Sequence, residues 1–192
     1  MSKIKLGVSL YSFTDEYIKG KFTLEDCIRT AAEYGAEGFE LVGTQMLPSY
    51  PYANDKVLNE FKAMTDHYGI EFVSYGANAD RGVRSDRDLT EDELLQSAII
   101  DLKTANKLGC KIMRAQYLLS PTAFGKLAPY AEAYGIKVGV ELHNPETPSS
   151  PNIQKYVEVI EKIGSKYLGI VTDFGTFATR PNKPHWDGAL AN

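Results

Sequence analysis

At 192 residues the chain can bury one sizeable core and hardly two, and 43% hydrophobic with 24% charged residues is the balance of a globular protein rather than a disordered one. A formal net charge of −4 gives nothing to attract nucleic acid, and no apolar run approaches the roughly 20 residues that span a bilayer. The two cysteines, Cys27 and Cys110, read as reduced core residues, and the first residues carry no signal-peptide cleavage pattern, so the expected location is cytoplasmic.

The first strand candidate is Ile4–Tyr11. Thr23, with Asp26 three residues on, then caps a helical stripe of Leu24, Cys27, Ile28 and Ala31. Gly38–Val42 is the second strand, followed by a long loop from Gly43 to Tyr52. Asn54 precedes the stripe Val57, Leu58, Phe61 and Met64, with His67 near its end as a structural residue, and Glu71–Tyr75 is the third strand. The mixed-sign run from Asp80 to Asp88 reads as a solvated loop, or as a lid over a substrate. Thr90 and Glu93 resemble a capping box ahead of Leu94, Leu95, Ala98, Ile99 and Leu102, and Cys110–Ala115 is the fourth strand. Ser120-Pro121 and Ser150-Pro151 each put a cap residue before proline, which suits the first helical position. The stripes Phe124, Leu127, Ala128, Ala131 and Ile153, Tyr156, Val157, Ile160 follow them, each leading to a strand, Val138–Leu142 and Leu168–Thr172. From Phe174 to Asn192 neither period is visible; His185 and Trp186 there would belong to a lid or a subunit interface.

Each helix stripe ends in a glycine, at Gly35, Gly69, Gly109, Gly135 and Gly164, the natural residue just past a helix end. Alternating strand and helix in units of about thirty residues means a parallel sheet, either a (β/α) barrel or a doubly wound sheet. No G-x-G-x-x-G follows the first strand and no phosphate-binding G-x-x-x-x-G-K-[ST] occurs, which weakens the doubly wound option. Polar residues gather after the strands, at Tyr11, Glu40, Asn78, Arg114, Gln116, Glu141, His143 and Asp173, where barrel enzymes hold their active sites. The expected fold is a (β/α)8 TIM barrel, one domain over residues 1–192. About six of its eight strand–helix units are visible, as in a chain truncated or incomplete at its C-terminus.

Strand parity puts Gly139, Glu141 and His143 on one face of the fifth strand, and Gly169, Val171 and Asp173 on one face of the sixth. Adjacent strands lie about 4.8 Å apart, so Glu141 and Asp173 need a shared proton, a basic neighbour or a cation. Oxygen and imidazole donors suit Mn²⁺ or Mg²⁺ and accept Zn²⁺; the alternative is a pair of solvated acids or an ion pair. Arg114 and Gln116 could each reach a sugar hydroxyl or carbonyl. Arg114 is as well suited to a salt bridge with Glu141 or another barrel acid. Tyr11 and Glu40 are further candidates for substrate binding. Histidine as a residue type suits proton abstraction beside a carbonyl, and His143 would reach such a group.

Gly139-Val140-Glu141-Leu142-His143 and Thr172-Asp173-Phe174-Gly175, with Leu6-Gly7-Val8-Ser9 and Gly38-Phe39-Glu40-Leu41, resemble the xylose-isomerase-like TIM-barrel superfamily of sugar isomerases and epimerases. The resemblance covers essentially the whole chain. It implies that Glu141 and Asp173 are two of four ligands to one divalent cation, most often Mn²⁺, with Mg²⁺, Zn²⁺ or Co²⁺ as alternatives. The other two ligands, a histidine and a glutamate on strands seven and eight, have no counterpart in this sequence. Within the superfamily, the loops from Gly43 to Tyr52 and from Asn144 to Pro151 resemble the catalytic alpha subunits of bacterial C-glycoside deglycosidases. Those enzymes cleave the carbon–carbon bond between a 3-oxo sugar and an aromatic aglycone, and work with a smaller second subunit. That likeness implies a sugar or glycoside substrate, a hetero-oligomer, and catalytic roles for His143 and Glu141. Isomerisation or epimerisation shares the same first proton abstraction. A DNA-repair endonuclease of the same superfamily would need many histidines, and three histidines with a negative charge argue against it. A non-catalytic partial barrel, serving as a piece of an assembly, is the remaining alternative and would take up no metal.

Overall fold

The computed structural model describes residues 5–79, 81–116, 118–179 and 183–184. Six strands, β1 (Gly7–Ser9), β2 (Gly38–Val42), β3 (Glu71–Ala77), β4 (Ile112–Ala115), β5 (Lys137–Leu142) and β6 (Leu168–Thr172), form one parallel sheet in chain order. The helices are α1 (Thr14–Ile18), α2 (Leu24–Glu33), α3 (Gly43–Met46), α4 (Asp55–Tyr68), α5 (Glu91–Leu108), α6 (Pro121–Lys126), α7 (Ala128–Tyr134) and α8 (Pro151–Ile163). Six parallel strands with helical crossovers are a partial barrel, and among the described residues β1 and β6 pair on one side only.

The signals in the sequence act as expected at most helix ends. Thr23 with Asp26 and Thr90 with Glu93 both form complete capping boxes. Asn54 accepts from the Val57 N–H and Ser120 from the Ala123 N–H. Gly69, Gly109, Gly135 and Gly164 close their helices in the left-handed conformation. One helix is not continuous: the stripe Phe124, Leu127, Ala128, Ala131 is split at Leu127 into α6 and α7. Pro129 lies one residue into the second piece; it has no N–H for the carbonyl four residues back, and its ring would press on that turn.

Strand limits also differ from the sequence pattern. β1 ends at Ser9, after which Leu10–Phe13 forms a 3-10 turn; Ile4 lies outside the described residues. β3 runs on to Ala77, and β4 starts at Ile112. In the tail a 3-10 turn covers Phe174–Phe177, and Ala178–Thr179 pairs antiparallel with Lys183–Pro184. His185 and Trp186 lie outside the described residues.

Two faces of the sheet have different work. Phe39, Leu41, Met113, Ala115, Val138, Val140 and Leu142 are buried in the core under the helices. The other face carries Glu40, Arg114, Gly139, Glu141 and Val171, brought level by the parallel register: Arg114 opposite Gly139, and Glu141 opposite Val171. A bulge in β3 contributes, because Phe39 pairs with Phe72 but Glu40 pairs with Ser74. The extra residue, Val73, turns Ser74 toward Glu40 and Tyr75 toward the helices. Gly139 is required on this face, since a Cβ there would sit 2.6 Å from Val171 Cγ2. Ile170, on the helix side of β6, remains 36% exposed, as no described helix follows that strand.

Cys27 and Cys110 are buried and unpaired, and burial pushes their thiols up to about 11 and about 12, which keeps them protonated and inert. No described helix is long and apolar enough to cross a membrane.

Candidate active site at the strand ends

A cavity of about 580 Å³ opens at the carboxyl ends of the strands. Tyr11, Glu40, Arg114, Gln116, Glu141, His143 and Asp173 all line it, so seven residues dispersed over the sequence meet in one place. Ser9, Val171, Thr172 and Phe174 complete the wall; the sequence places them in motifs or on the face of Asp173 without marking them as site residues. For Ser9, Val171 and Thr172 the signal was present, because each belongs to a strand whose end carries a named acid or lies beside one.

Arg114 is the centre of the charge arrangement. Its Nε and Nη2 donate to the two oxygens of Glu40, each at 2.8 Å, and its Nη1 donates to Glu141 Oε2 at 2.5 Å. The side chains of Arg114, Glu40 and Glu141 are only 15%, 11% and 16% exposed, a setting in which a forked guanidinium–carboxylate pair is strong and directional. Burial works against the guanidinium charge, but the two carboxylates outweigh it and raise the Arg114 pKa further. Glu40 is saturated by the protein, since Ser9 Oγ also donates to it at 2.8 Å and Ser74 Oγ at 3.4 Å. Gly76 leaves room for this: a Cβ there would lie 3.1 Å from Arg114 Nη2. The sequence left Arg114 between a sugar contact and an ion pair, and the structure forms the ion pair. Glu40 is Arg114's partner, which its strand position alone does not reveal.

His143 stands just beyond β5, half exposed. Its Nδ1 lies 2.7 Å from the Asn144 carbonyl oxygen. A carbonyl can only accept, so Nδ1 carries the hydrogen and Nε2 of the neutral ring presents a lone pair. That Nε2 is 3.7 Å from Asp173 Oδ2. Asp173 Oδ1 accepts the Gly175 N–H at 2.8 Å, which fixes the carboxylate at the mouth of the turn. Tyr11 sits at the rim, 61% exposed, as its 3-10 turn lifts it off the strand.

The cavity holds three carboxylates against one guanidinium, an excess of negative charge that favours a cation. Glu141 and Asp173 are hard oxygen donors of the kind Mg²⁺ and Mn²⁺ take. The two could serve as ligands of such an ion; among the described residues no group of three or more ligating side chains converges.

A family model described as xylose isomerase-like TIM barrel matches residues 28–191. The chain is 40% identical over 177 residues to the 3'-dehydrocarminate deglycosidase alpha subunit of a Microbacterium species, covering 92% of this chain and 51% of that protein. It is 36% identical over 170 residues to the C-glycoside deglycosidase alpha subunit of Microbacterium trichothecenolyticum, covering 88% and 46%. The chain thus spans about half the length of the curated relatives it matches. Among solved structures, a xylose isomerase-like TIM barrel protein from Mycobacterium smegmatis in complex with magnesium superposes with a TM-score of 0.69 at 14% identity, over 97% of this chain and 70% of that one.

Proposed function

The chain belongs to the xylose isomerase-like TIM barrel family, and from that premise we propose that it is part of a carbohydrate enzyme that removes a proton beside a sugar carbonyl and cleaves a C-glycoside. The observation that carries this reading is the cavity itself. It brings an imidazole with an outward lone pair, a paired glutamate and a second carboxylate to one set of strand ends. The names of the relatives, deglycosidase alpha subunits, support the same chemistry.

In this mechanism a 3-oxo glycoside enters with the carbon next to its carbonyl facing His143 Nε2. His143 takes that proton, and Asp173 at 3.7 Å stabilises the resulting imidazolium. Arg114 holds Glu141 in a fixed orientation through the 2.5 Å bond and is itself locked by Glu40, so the acid is preorganised before substrate arrives. A divalent ion held in part by Glu141 and Asp173 would supply polarisation of the carbonyl oxygen. When the carbonyl re-forms, the aryl group leaves the adjoining carbon with the bonding electron pair, and the proton held by His143 passes to the aryl carbon. The products are an unsaturated 3-oxo sugar and the free arene, so atoms and electrons balance.

We extend the same reading to the assembly: the relatives are named as alpha subunits, and a second subunit is expected to join this one. Incubation with a 3-oxo C-glucoside, and separately with free ketoses, tests the proposal. Aglycone release from the former with no change in the latter is expected. Ketose isomerisation without aglycone release would replace cleavage by isomerisation.

A further inference from the structure

Asp101, on α5, is a carboxyl group that the proposed chemistry does not use and that solvent hardly reaches, being 1% exposed. Two phenols close over it. Tyr75 of β3 donates to its Oδ1 at 2.9 Å, and Tyr50, from the loop after β2, donates to its Oδ2 at 3.1 Å. That loop rests on the trio at a second point, because a Cβ on Gly43 would collide with the Tyr75 hydroxyl. Between the two points Ser49 stands at φ 61°, a left-handed backbone that a residue with a side chain adopts at a cost. The loop is therefore held against local strain, and the Tyr50 hydroxyl is one of its tethers. The same loop reaches the strand-end cavity. Gln45 Oε1 accepts from Thr14 Oγ1 at 3.0 Å, and that hydroxyl also lies 2.7 Å from the carbonyl oxygen of Tyr11, which lines the cavity.

The arrangement resists a charge on Asp101. A carboxylate out of water is costly unless its partners replace the lost hydration. Here the partners are two neutral phenols, and burial outweighs them, pushing the carboxyl up to about 7. Cys110, ahead of β4, bears on Tyr75 rather than on the acid. The charged pairs between α5 and the helices beside it, Lys107 with Asp55 of α4 and Lys126 of α6 with Asp92, are exposed and do not act on Asp101. Asn106 meets α7 through an uncharged bond to the Tyr134 carbonyl. If the loop opens, water reaches the carboxyl, which then releases its proton in the ordinary carboxylate range. The closed loop hence loses ground to the open one as pH rises from about 5 to about 7, and no further above that.

We propose that Asp101, Tyr50 and Tyr75 form a pH-sensitive latch on the strand-end cavity: with the proton on Asp101 the loop after β2 is shut against α5, and loss of that proton opens the loop and frees the turn that carries Tyr11.

Hydrogen–deuterium exchange of the whole chain, read by mass spectrometry and corrected for the intrinsic rate at each pH, tests this on residues 43–54 and 10–14. From about pH 5 to about pH 8, opening of both segments should rise by about tenfold or more in the wild type. It should stay level in Asp101→Asn, whose amide keeps the neutral shape of the protonated acid. Tyr50→Phe removes a tether and keeps the acid, so its loop should open several-fold more than that of the wild type at the acid end of the range. Circular dichroism verifies that both variants fold. A level wild type, an equal rise in Asp101→Asn, unchanged exchange in Tyr50→Phe, or a loop that opens without the Tyr11 turn would each overturn the latch. The measurement uses no substrate and no metal, so failure of the cleavage reading would leave its result standing.

Discussion

At the residue scale, the site depends on how one guanidinium is shared. Arg114 gives two bonds to Glu40 and one to Glu141, so Glu40 is a positioning residue whose removal leaves a largely buried cation half-paired. Glu40→Gln should therefore cost about 2 kcal/mol of stability, below the range for a fully buried pair because some solvent reaches the trio, and should lower turnover by loosening Glu141. Urea unfolding beside a rate assay checks both, and an unchanged midpoint would remove this role. Asp101 offers a second test. Burial raises its carboxyl to about 7, against the hydrogen bonds from Tyr75 and Tyr50 that favour the anion. From about pH 4 upward the unfolded chain has released a proton that the folded protein still holds. Stability from this group hence falls as pH climbs toward 7 and is level above it. Asp101→Asn abolishes that linkage, so from about pH 5 to about pH 8 the variant should gain on the wild type by about 2 kcal/mol. Parallel urea stability curves against pH would contradict it.

At the element scale, much of the fold was legible because local chemistry agrees with tertiary position. The five glycine stops and the two capping boxes are short-range signals, and they mark element ends that the structure reproduces. Thr90→Ala removes the cap of α5, the longest described helix, and should destabilise the protein by about 1 kcal/mol, read as a lowered thermal midpoint. A Thr90→Ser variant should restore most of the loss. Where reading failed, the cause was also physical. The α6–α7 break was hidden because Phe124, Leu127 and Ala131 stay buried across it, so the apolar period continues through Pro129. The β3 bulge was invisible because an inserted Val73 looks like any strand residue; only pairing with β2 shows that it shifts Ser74 and Tyr75 to new faces.

At the scale of the whole molecule, the strand-end rule of parallel barrels made the location of the candidate site readable before its connections were. Glu141, His143 and Asp173 could be grouped from parity alone. The Arg114–Glu40 pair, separated by 74 residues and crossing from β4 to β2, could not, since no local pattern encodes it. The contacts of Tyr50 and Tyr75 with Asp101 were hidden for the same reason, joining a loop, a strand and a helix remote in sequence. If Glu141 and Asp173 share an ion, elemental analysis of the purified protein should find about one divalent metal per chain, lost in Glu141→Ala and in Asp173→Ala. A metal-free folded wild type would leave those acids as ion-pair and hydrogen-bond partners only.

The central claim is that His143 moves a proton beside a sugar carbonyl. Solvent-deuterium exchange into a 3-oxo glucoside, followed by proton NMR, reads that step without requiring bond cleavage. The wild type should exchange the hydrogen on the carbon next to the carbonyl, and His143→Ala should exchange it at least about 100-fold more slowly. Exchange by His143→Ala at the wild-type rate would contradict the account.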